Sequence, residues 1–427
     1  MTDSRLYLAT RSPYSGKILA LTLISSVCYL AVLSFLNAQG ILRASPQVVG
    51  LTELAIYGAC AAMLLRSVTR LTISAFLLIA AWLCFMWLYR GEVDPKNFRD
   101  LLIPILFLAL GQKIADTRTA DKLIKWLLFI VVGFGLVEVF FLEWYSSIFN
   151  TFLFYVNTGA TLEEAAMFED QMLTLNGFRP EGMGRTILPA VFGQHRASSL
   201  LMEPVSLGNF AVLVVAYGLA KESSALRDRA IFVLGGLLLI AIADSRFGLM
   251  MVMPLLILRV LPVHLISYLS AALPLIGMFA LMSLGSIQAG YADSFTGRLI
   301  VSGRALVNME LPMWLGLDPN LPTFGDMGYA YAVSRFGLPL CALLLACFLL
   351  IPTPTREAQR IRAFVLVYAS MILLVSGTSL FALKTAGLMW FMLGVLSADR
   401  FPVRAAAREP LPGTLARPQR LGGVTPV

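Results

Sequence analysis

The stretch His195–Phe210, HRASSLLMEPVSLGNF, brings an acid, a base and several hydroxyls to the mouth of an apolar segment. Arg196, Ser199, Glu203 and Ser206 recur at intervals of three and four, a spacing that on a helix places them on one stripe. Leu200, Leu201, Met202, Val205 and Leu207 fill the other faces. A carboxylate on such a segment is costly to expose to hydrocarbon, so Glu203 is expected to face protein or trapped water. Pro204 removes a backbone donor and Gly208 loosens the following turn, so a kinked helix mouth is expected. Two readings follow: a polar ligand meets the bilayer here, or an Arg–Glu pair only steadies a helix bundle. Under the first reading Glu203 is the leading candidate base, since burial raises a carboxyl pKa. Asp244, Asp326, Glu181 and His195 are its rivals.

The elements that must position these groups are membrane helices. The chain has 427 residues, 58% hydrophobic and 14% charged, with a mean hydropathy of +0.79. That composition excludes an ordinary soluble domain and gives no support to a nucleic-acid partner. Apolar runs near 18–37, 47–65, 71–89, 100–112, 126–143, 198–219, 230–244, 246–261, 265–284, 331–351, 363–377 and 380–397 predict about twelve transmembrane helices. The expected fold is therefore all-α and polytopic, one membrane domain over 1–400. Residues 401–427, rich in Pro, Arg and Gly, are expected to form a disordered cytoplasmic tail. The N-terminal polar residues run into the first span with no small-residue cleavage site, which reads as an uncleaved span. Five cysteines all lie in apolar runs without ligand spacing, and two histidines are too few for a zinc site, so no metal or cofactor is expected.

With the N-terminus inside, 21 of the 33 Lys and Arg fall on inner segments. The positive-inside rule then places both termini in the cytoplasm. That parity depends on one choice. A single helix over the 29 residues between Arg229 and Arg259 would be about 45 Å long, against a hydrocarbon core of about 30 Å. A hairpin with its tip at Ser245 preserves the charge rule and sinks Asp244 and Arg246 below the outer surface, as a cavity floor or as a local salt bridge at a tight turn. Two long loops, about 144–196 and 285–330, then lie outside. The first carries Arg179, Glu181, Arg185, His195 and Arg196, the second Arg298, Arg304 and Asp326, and Arg335 follows just inside the next span. Lys384, about a turn into the last span, either snorkels or faces the cavity.

Arginines on the depleted side need a reason. Arg179, Arg185, Arg196, Arg246, Arg298, Arg304 and Arg335 all gather at the outer rim. Guanidinium groups hold phosphate through paired donors, best where water is scarce. A lipid-linked diphosphate sugar, with its phosphates at the interface and its tail in the bilayer, matches that arrangement. Transfer of a glycan from such a carrier requires positive charge on the departing diphosphate and a base for the acceptor hydroxyl. No Asp-x-Asp pair stands on the outer loops, which disfavours a metal-bridged mechanism.

The layout resembles the Wzy-type polysaccharide polymerases and the related O-antigen ligases. Asp244-Ser245-Arg246 resembles their SR element, and Glu203-Pro204 with Gly208-Asn209 lies where they enter a span after a long loop. Gly297-Arg298, Gly303-Arg304 and Trp314-Leu315-Gly316-Leu317 resemble their GR…W.GLG stretch, and Asp326…Tyr329…Arg335-Phe336-Gly337-Leu338 the polar start of the next span. The likeness covers roughly 179–340. The family's Arg-x10-Gly spacing is one residue longer here, from Arg196 to Gly208 and from Arg304 to Gly316. The ligases' loop histidine is replaced by Asp326, which tilts the resemblance toward polymerases, most of all those of the xanthan type. It implies polymerisation of undecaprenyl-diphosphate-linked repeat units into exopolysaccharide at the periplasmic face of a bacterial inner membrane. Glu203, Arg196, Arg246 and Arg304 would then be catalytic, and Arg179, Arg185, His195, Asp244, Arg298, Asp326 and Arg335 substrate-binding. A chain-length regulator and export machinery are the implied partners. The rivals are a polysaccharide ligase and a flippase for the same lipid-linked sugar.

Overall fold

The structure is a computed structural model, and it describes residues 13–65, 70–114, 117–159, 177, 184–287, 295–320, 324–325 and 327–398. Among these residues there is no strand. The helices in chain order are α1 (Pro13–Ala38), α2 (Pro46–Leu64), α3 (Arg70–Arg90), α4 (Pro95–Ile114), α5 (Thr117–Phe140), α6 (Leu142–Phe149), α7 (Thr151–Asn157), α8 (Pro189–Phe192) and α9 (Pro204–Ala220). They continue with α10 (Leu226–Ile242), α11 (Arg246–Val260), α12 (Val263–Gly285), α13 (Phe295–Val307), α14 (Leu311–Trp314), α15 (Gly328–Phe336), α16 (Leu338–Leu349), α17 (Arg356–Ile372) and α18 (Leu383–Ser397).

Helix starts follow local chemistry. Proline, whose missing donor costs nothing in the first turn, opens α2, α4, α8 and α9. The hydroxyls of Ser45, Ser245 and Thr355 accept from the backbone N–H three residues on, at Val48, Gly248 and Ala358. Each of the twelve apolar runs contains a helix. Five helical segments are long and apolar enough to cross a membrane: Gly16–Ala38, Pro46–Leu64, Ile73–Arg90, Thr117–Phe140 and Val263–Gly285. The pair α15–α16, bent by 106° at Gly337, makes a sixth if it forms one span. The chain is a helical protein with the composition and helix lengths of a membrane protein.

The core is built around α9, in which every residue except Val205 is buried. A helix that is apolar all round must be enclosed, and α10, α11, α17 and α18 enclose it. Elsewhere, glycine lets backbones touch. A Cβ on Gly394 of α18 would lie 2.2 Å from the Leu108 carbonyl of α4, and one on Gly303 of α13 would lie 1.9 Å from the Leu281 carbonyl of α12.

Two expectations about the opening stretch are corrected here. Residues 196–206 do not form one helix, so their spacing does not make a stripe. Ser199–Leu201 is a single 3-10 turn, Met202 is left-handed, Glu203 is extended, and α9 starts at Pro204. Proline forbids a helical conformation at the residue before it, so Pro204 starts the helix and does not kink it. Gly208 does not loosen a turn either. A Cβ there would lie 2.2 Å from Ser245 Oγ, so glycine is needed for α9 to pass against the turn between α10 and α11. That turn does break the chain at 243–245, as the hairpin reading requires. The loop expected from about 144 instead begins as two short helices, α6 and α7, packed against α1.

The Gly208–Ser245 contact is testable by stability. Gly208→Ala should lower the unfolding midpoint of the detergent-solubilised protein by an overpacking cost of about 1–3 kcal/mol. Ser245→Gly alone should cost about 1 kcal/mol through loss of the α11 cap. The double variant should be more stable than the sum of the two losses; simple additivity would show that the two residues do not press on each other.

Candidate functional site

Four non-glycine residues among those described have φ above +40°, in the left-handed region: Leu188 (49°), Ser199 (49°), Met202 (62°) and Asp244 (46°). All four belong to one junction, where residues 184–203 fold over the turn between α10 and α11. Such conformations cost about 1–3 kcal/mol each and persist only where the surroundings impose them. Three buried charged side chains do so.

Asp244, with no exposed surface, turns its Oδ1 onto the loop and accepts from Thr186 N (3.0 Å), Thr186 Oγ1 (2.7 Å) and Ile187 N (2.8 Å). Arg185 runs the other way. Its Nε donates to the Ile187 carbonyl at 2.9 Å, and Nη1 to the carbonyls of His195 at 2.5 Å and Phe192 at 3.4 Å. Its Nη2 donates to Ala241 and, at 3.1 Å, to Ile242, carbonyls at the end of α10 that also accept from Asp244 N and Ala197 N. The third is Glu138 on α5, fully buried, whose carboxylate receives Ser198 N (2.9 Å), Ser198 Oγ (3.0 Å) and Ser199 N (2.5 Å). These three groups hold the loop's polar backbone: Glu138 serves its buried part at 195–202, and Arg185 and Asp244 fasten the more exposed part from 184 to 194. Arg185 and Asp244, the expected substrate-binding groups, turn polar atoms onto backbone and the Thr186 hydroxyl.

The rim of this junction holds Glu203 and Arg246, which reach open space, beside the buried Lys384, Arg196 and His195. Glu203 caps the approach to α9 with its side chain a third exposed. Its Oε2 accepts from Ser206 Oγ at 2.7 Å and from Lys384 Nζ at 3.2 Å, and Lys384 also donates to the Leu201 carbonyl at 3.0 Å. Lys384 is itself buried, so it faces the interior and does not snorkel. Burial pushes the Glu203 carboxyl up. The Lys384 ammonium, the Ser206 hydroxyl and the charge of Arg196 outweigh that and hold it below the ordinary carboxylate value. The expectation of a raised value is therefore corrected. Arg196, buried, donates from Nε to the Ala243 carbonyl at 3.2 Å, and Arg246, exposed, reaches Thr186 Oγ1 at 3.4 Å. His195 is buried beside Arg185; burial and that like charge lower its pKa, so it is neutral at pH 7, and its Nε2 has no hydrogen-bond partner among the described residues.

Lys384 also lines a cavity of about 150 Å³ with Tyr29, Glu53, Lys96, Arg99, Asp100, Thr378 and Phe381. At ~30 Å³ per water, that is room for roughly five waters, well above a packing void. Arg99 bridges its two acids, 3.1 Å from Glu53 and 2.8 Å from Asp100, and Tyr29 Oη donates to Glu53 at 2.6 Å. Lys96 stands over the Tyr331 ring at 5.2 Å. The cavity thus presents three cations and two carboxylates beside Glu203. Sequence spacing missed Glu53, Lys96, Arg99, Asp100 and Glu138, although an acid inside an apolar run, as at Glu53 and Glu138, is by itself a reason to suspect function.

The remaining candidates are scattered. Arg335 pairs with Asp94 and lies 5.5 Å from the Tyr331 ring, so it adjoins the cavity without lining it. Arg298 and Arg304 stand on α13, which packs on α12, and Arg304 Nη2 donates to the Ile287 carbonyl at 3.0 Å. Arg196 and Arg246 have a separate support at the α10–α11 turn. Arg179, Glu181, Asp326 and the 401–427 tail lie outside the described residues. No three His, Cys, Asp or Glu side chains among the described residues gather as metal ligands. No family model matches the chain, and no curated protein and no solved structure matches it.

The pairing of Glu203 predicts a pH effect. An acid whose folded pKa is depressed stabilises the fold above its ordinary value and loses that contribution as pH falls through the depressed one. Lys384→Met leaves burial unopposed by its main counter-charge, so the acid-side fall of the unfolding midpoint should move to higher pH. Glu203→Gln in the same background should cancel the movement. Superimposable wild-type and Lys384→Met profiles would contradict the pairing.

Proposed function

We propose that the chain is a glycosyltransferase that polymerises lipid-linked oligosaccharide repeat units at the periplasmic face of a bacterial inner membrane. The observation that carries the reading is the meeting of Glu203, Lys384 and Arg196 beside a charged cavity, at one end of a bundle of apolar helices. On the proposed topology, with about twelve spans and both termini cytoplasmic, that end is periplasmic. Glu203 and Arg196 fall within the stretch, roughly 179–340, that carries the resemblance to Wzy-type polymerases.

In this reading the growing chain, held on its undecaprenyl diphosphate, is the donor, and an incoming lipid-linked repeat is the acceptor. The acceptor hydroxyl oxygen bonds to the donor's anomeric carbon as the bond from that carbon to the carrier phosphate breaks. The hydroxyl proton passes to Glu203, and the diphosphate departs with the bonding electron pair. Negative charge therefore grows where Arg196 and Lys384 stand, and fixed cations stabilise that change best in a place poor in water. The two steps are coupled through Lys384. Each contact it gives the diphosphate is one withdrawn from Glu203, whose partly buried carboxyl then becomes the stronger base. The cavity, with paired carboxylates and an aromatic edge from Phe381, suits the hydroxyls of a sugar. A flippase would need ionisable groups near mid-membrane; Glu203 stands just before α9 and Lys384 in the first turn of α18, which favours an enzyme. The substrate, its sidedness and any chain-length regulator or export partner rest on this proposal.

The tests separate chemistry from sidedness. Glu203→Gln and Arg196→Ala should each lower polymer formation by ~10²–10³ at normal membrane levels, the loss typical of one preorganised group. Arg196→Lys should recover little, because an ammonium lacks the paired donors. The surface pair Lys125–Asp228, broken by Asp228→Asn, should leave polymer unchanged. Reporter fusions after residues 170 and 315 should read periplasmic and one after 358 cytoplasmic; opposite sides for 170 and 315 would overturn the single-face site.

A further inference from the structure

A second cavity, about 440 Å³, lies far from Glu203 and is lined by Leu261, Pro262, Val263, His264, Arg356, Gln359 and Arg360. Its place in the fold is fixed by α9. Glu203 precedes that helix and Lys221 follows it, about 25 Å away at 1.5 Å per residue. The Lys221 carbonyl accepts from Arg259 Nη2 at 3.3 Å, two residues before the cavity wall begins at Leu261. Next to Lys221, Glu222 N donates to the Glu357 carboxylate at 2.9 Å, at the start of α17. The cavity is thus at the opposite end of the bundle from the proposed reaction, which is cytoplasmic on the proposed topology.

Its chemistry is cationic and only partly answered from within. Arg356 and Arg360 are one helical turn apart on α17 and repel each other, and Arg259 feels the like charges of Arg360 and Arg229. The acids within electrostatic reach of Arg360 are Glu222 and Glu357, and Glu357 is already bound to the Glu222 backbone. Arg360 Nε is buried without a hydrogen-bond partner among the described residues. A buried, unpaired guanidinium donor is costly, and an anion is the group that would satisfy it.

The surroundings say what kind of anion. His264 is exposed, and Tyr268, one turn further along the same face of α12, is 76% exposed. Val260 is 86% exposed and adjoins Leu261 in the cavity wall. An exposed aromatic and an exposed aliphatic beside a cluster of arginines give an apolar path leading away from a charged recess. That is the shape of a molecule with a phosphate at one end and hydrocarbon at the other. Basic pockets between helices at a membrane surface are known to take such head groups.

We propose that this recess binds the phosphate of an anionic phospholipid, with Arg356 and Arg360 holding the head group and the acyl chains lying along Val260 and Tyr268. The positive-inside rule accounts for basic residues at this end of the bundle, but it does not require them to surround a cavity. The site is separate from the proposed catalytic end, and the inference does not depend on the identity of the sugar substrate.

The full-length protein in detergent, exchanged into phosphatidylcholine, would be titrated with phosphatidylglycerol and followed by native mass spectrometry. Wild type should retain phosphatidylglycerol in preference to phosphatidylcholine, and the Arg356→Gln/Arg360→Gln variant should lose at least tenfold in occupancy. Arg227→Gln, which removes an exposed charge of the same end that does not line the cavity, should leave occupancy unchanged. Unfolding midpoints without added lipid should agree between the variants, and Arg360→Gln alone serves if the double variant does not fold. Displacement of the lipid by excess inorganic phosphate would mark a free-phosphate site, and an equal loss in Arg227→Gln a general charge effect. Either result overturns the proposal.

Discussion

The carboxylate of Glu138 is the constraint on which the rest of the junction depends. It is fully buried on α5 and is met by three donors from Ser198 and Ser199. Without it, two backbone N–H groups would be stranded in a place where each unpaired group costs about 1–3 kcal/mol. With it, Ser199 can hold a left-handed conformation, the chain can turn through Met202, and Glu203 arrives extended at the first turn of α9. Arg185 and Asp244 complete the support from the far side, one donating to carbonyls and the other accepting from N–H groups. Charged side chains are here used as backbone partners, and the groups left for chemistry are those just beyond them.

This division of labour explains why the site is positioned well. Glu203 is not on a flexible loop: Pro204 fixes the helix start after it, Ser206 and Lys384 hold its carboxylate, and Arg196 is tied to the α10–α11 turn. Gly208 brings that turn close, since Ser245 occupies the space a side chain would need. Lys384 connects the junction to the cavity of α2 and α4, so the carboxylate that would take a proton and the recess that would take a sugar share one ammonium.

Much of the fold was legible in the sequence because hydrocarbon imposes a simple rule. Apolar runs near twenty residues must be helices, and all twelve contain one. The break at Ser245 was legible from length together with the charge rule. Helical spacing failed at Arg196–Ser206 because Pro204 sets a start and a backbone partner on another helix stabilises the turn before it. Periodicity cannot see such a partner when it is far away in sequence. Arginine clustering in the sequence did not reveal role. Arg185 looks in sequence like Arg196, and only the carbonyls around it show that it holds the fold. Lys96, Arg99 and Asp100 escaped because a cavity assembled from α2, α4 and α18 has no signature in any one of them.

The central claim is polymerisation at the face that carries Glu203, and the lipid-linked glycans of a deletion strain test it most directly. The account predicts that single repeat units on their diphosphate carrier accumulate, that they are accessible from the periplasmic side, and that polymer disappears. Wild-type protein supplied in trans should restore polymer, and the Glu203→Gln protein should not. Accumulation of the same repeat units on the cytoplasmic side would make the chain a flippase, and unchanged polymer in the deletion strain would contradict the account altogether.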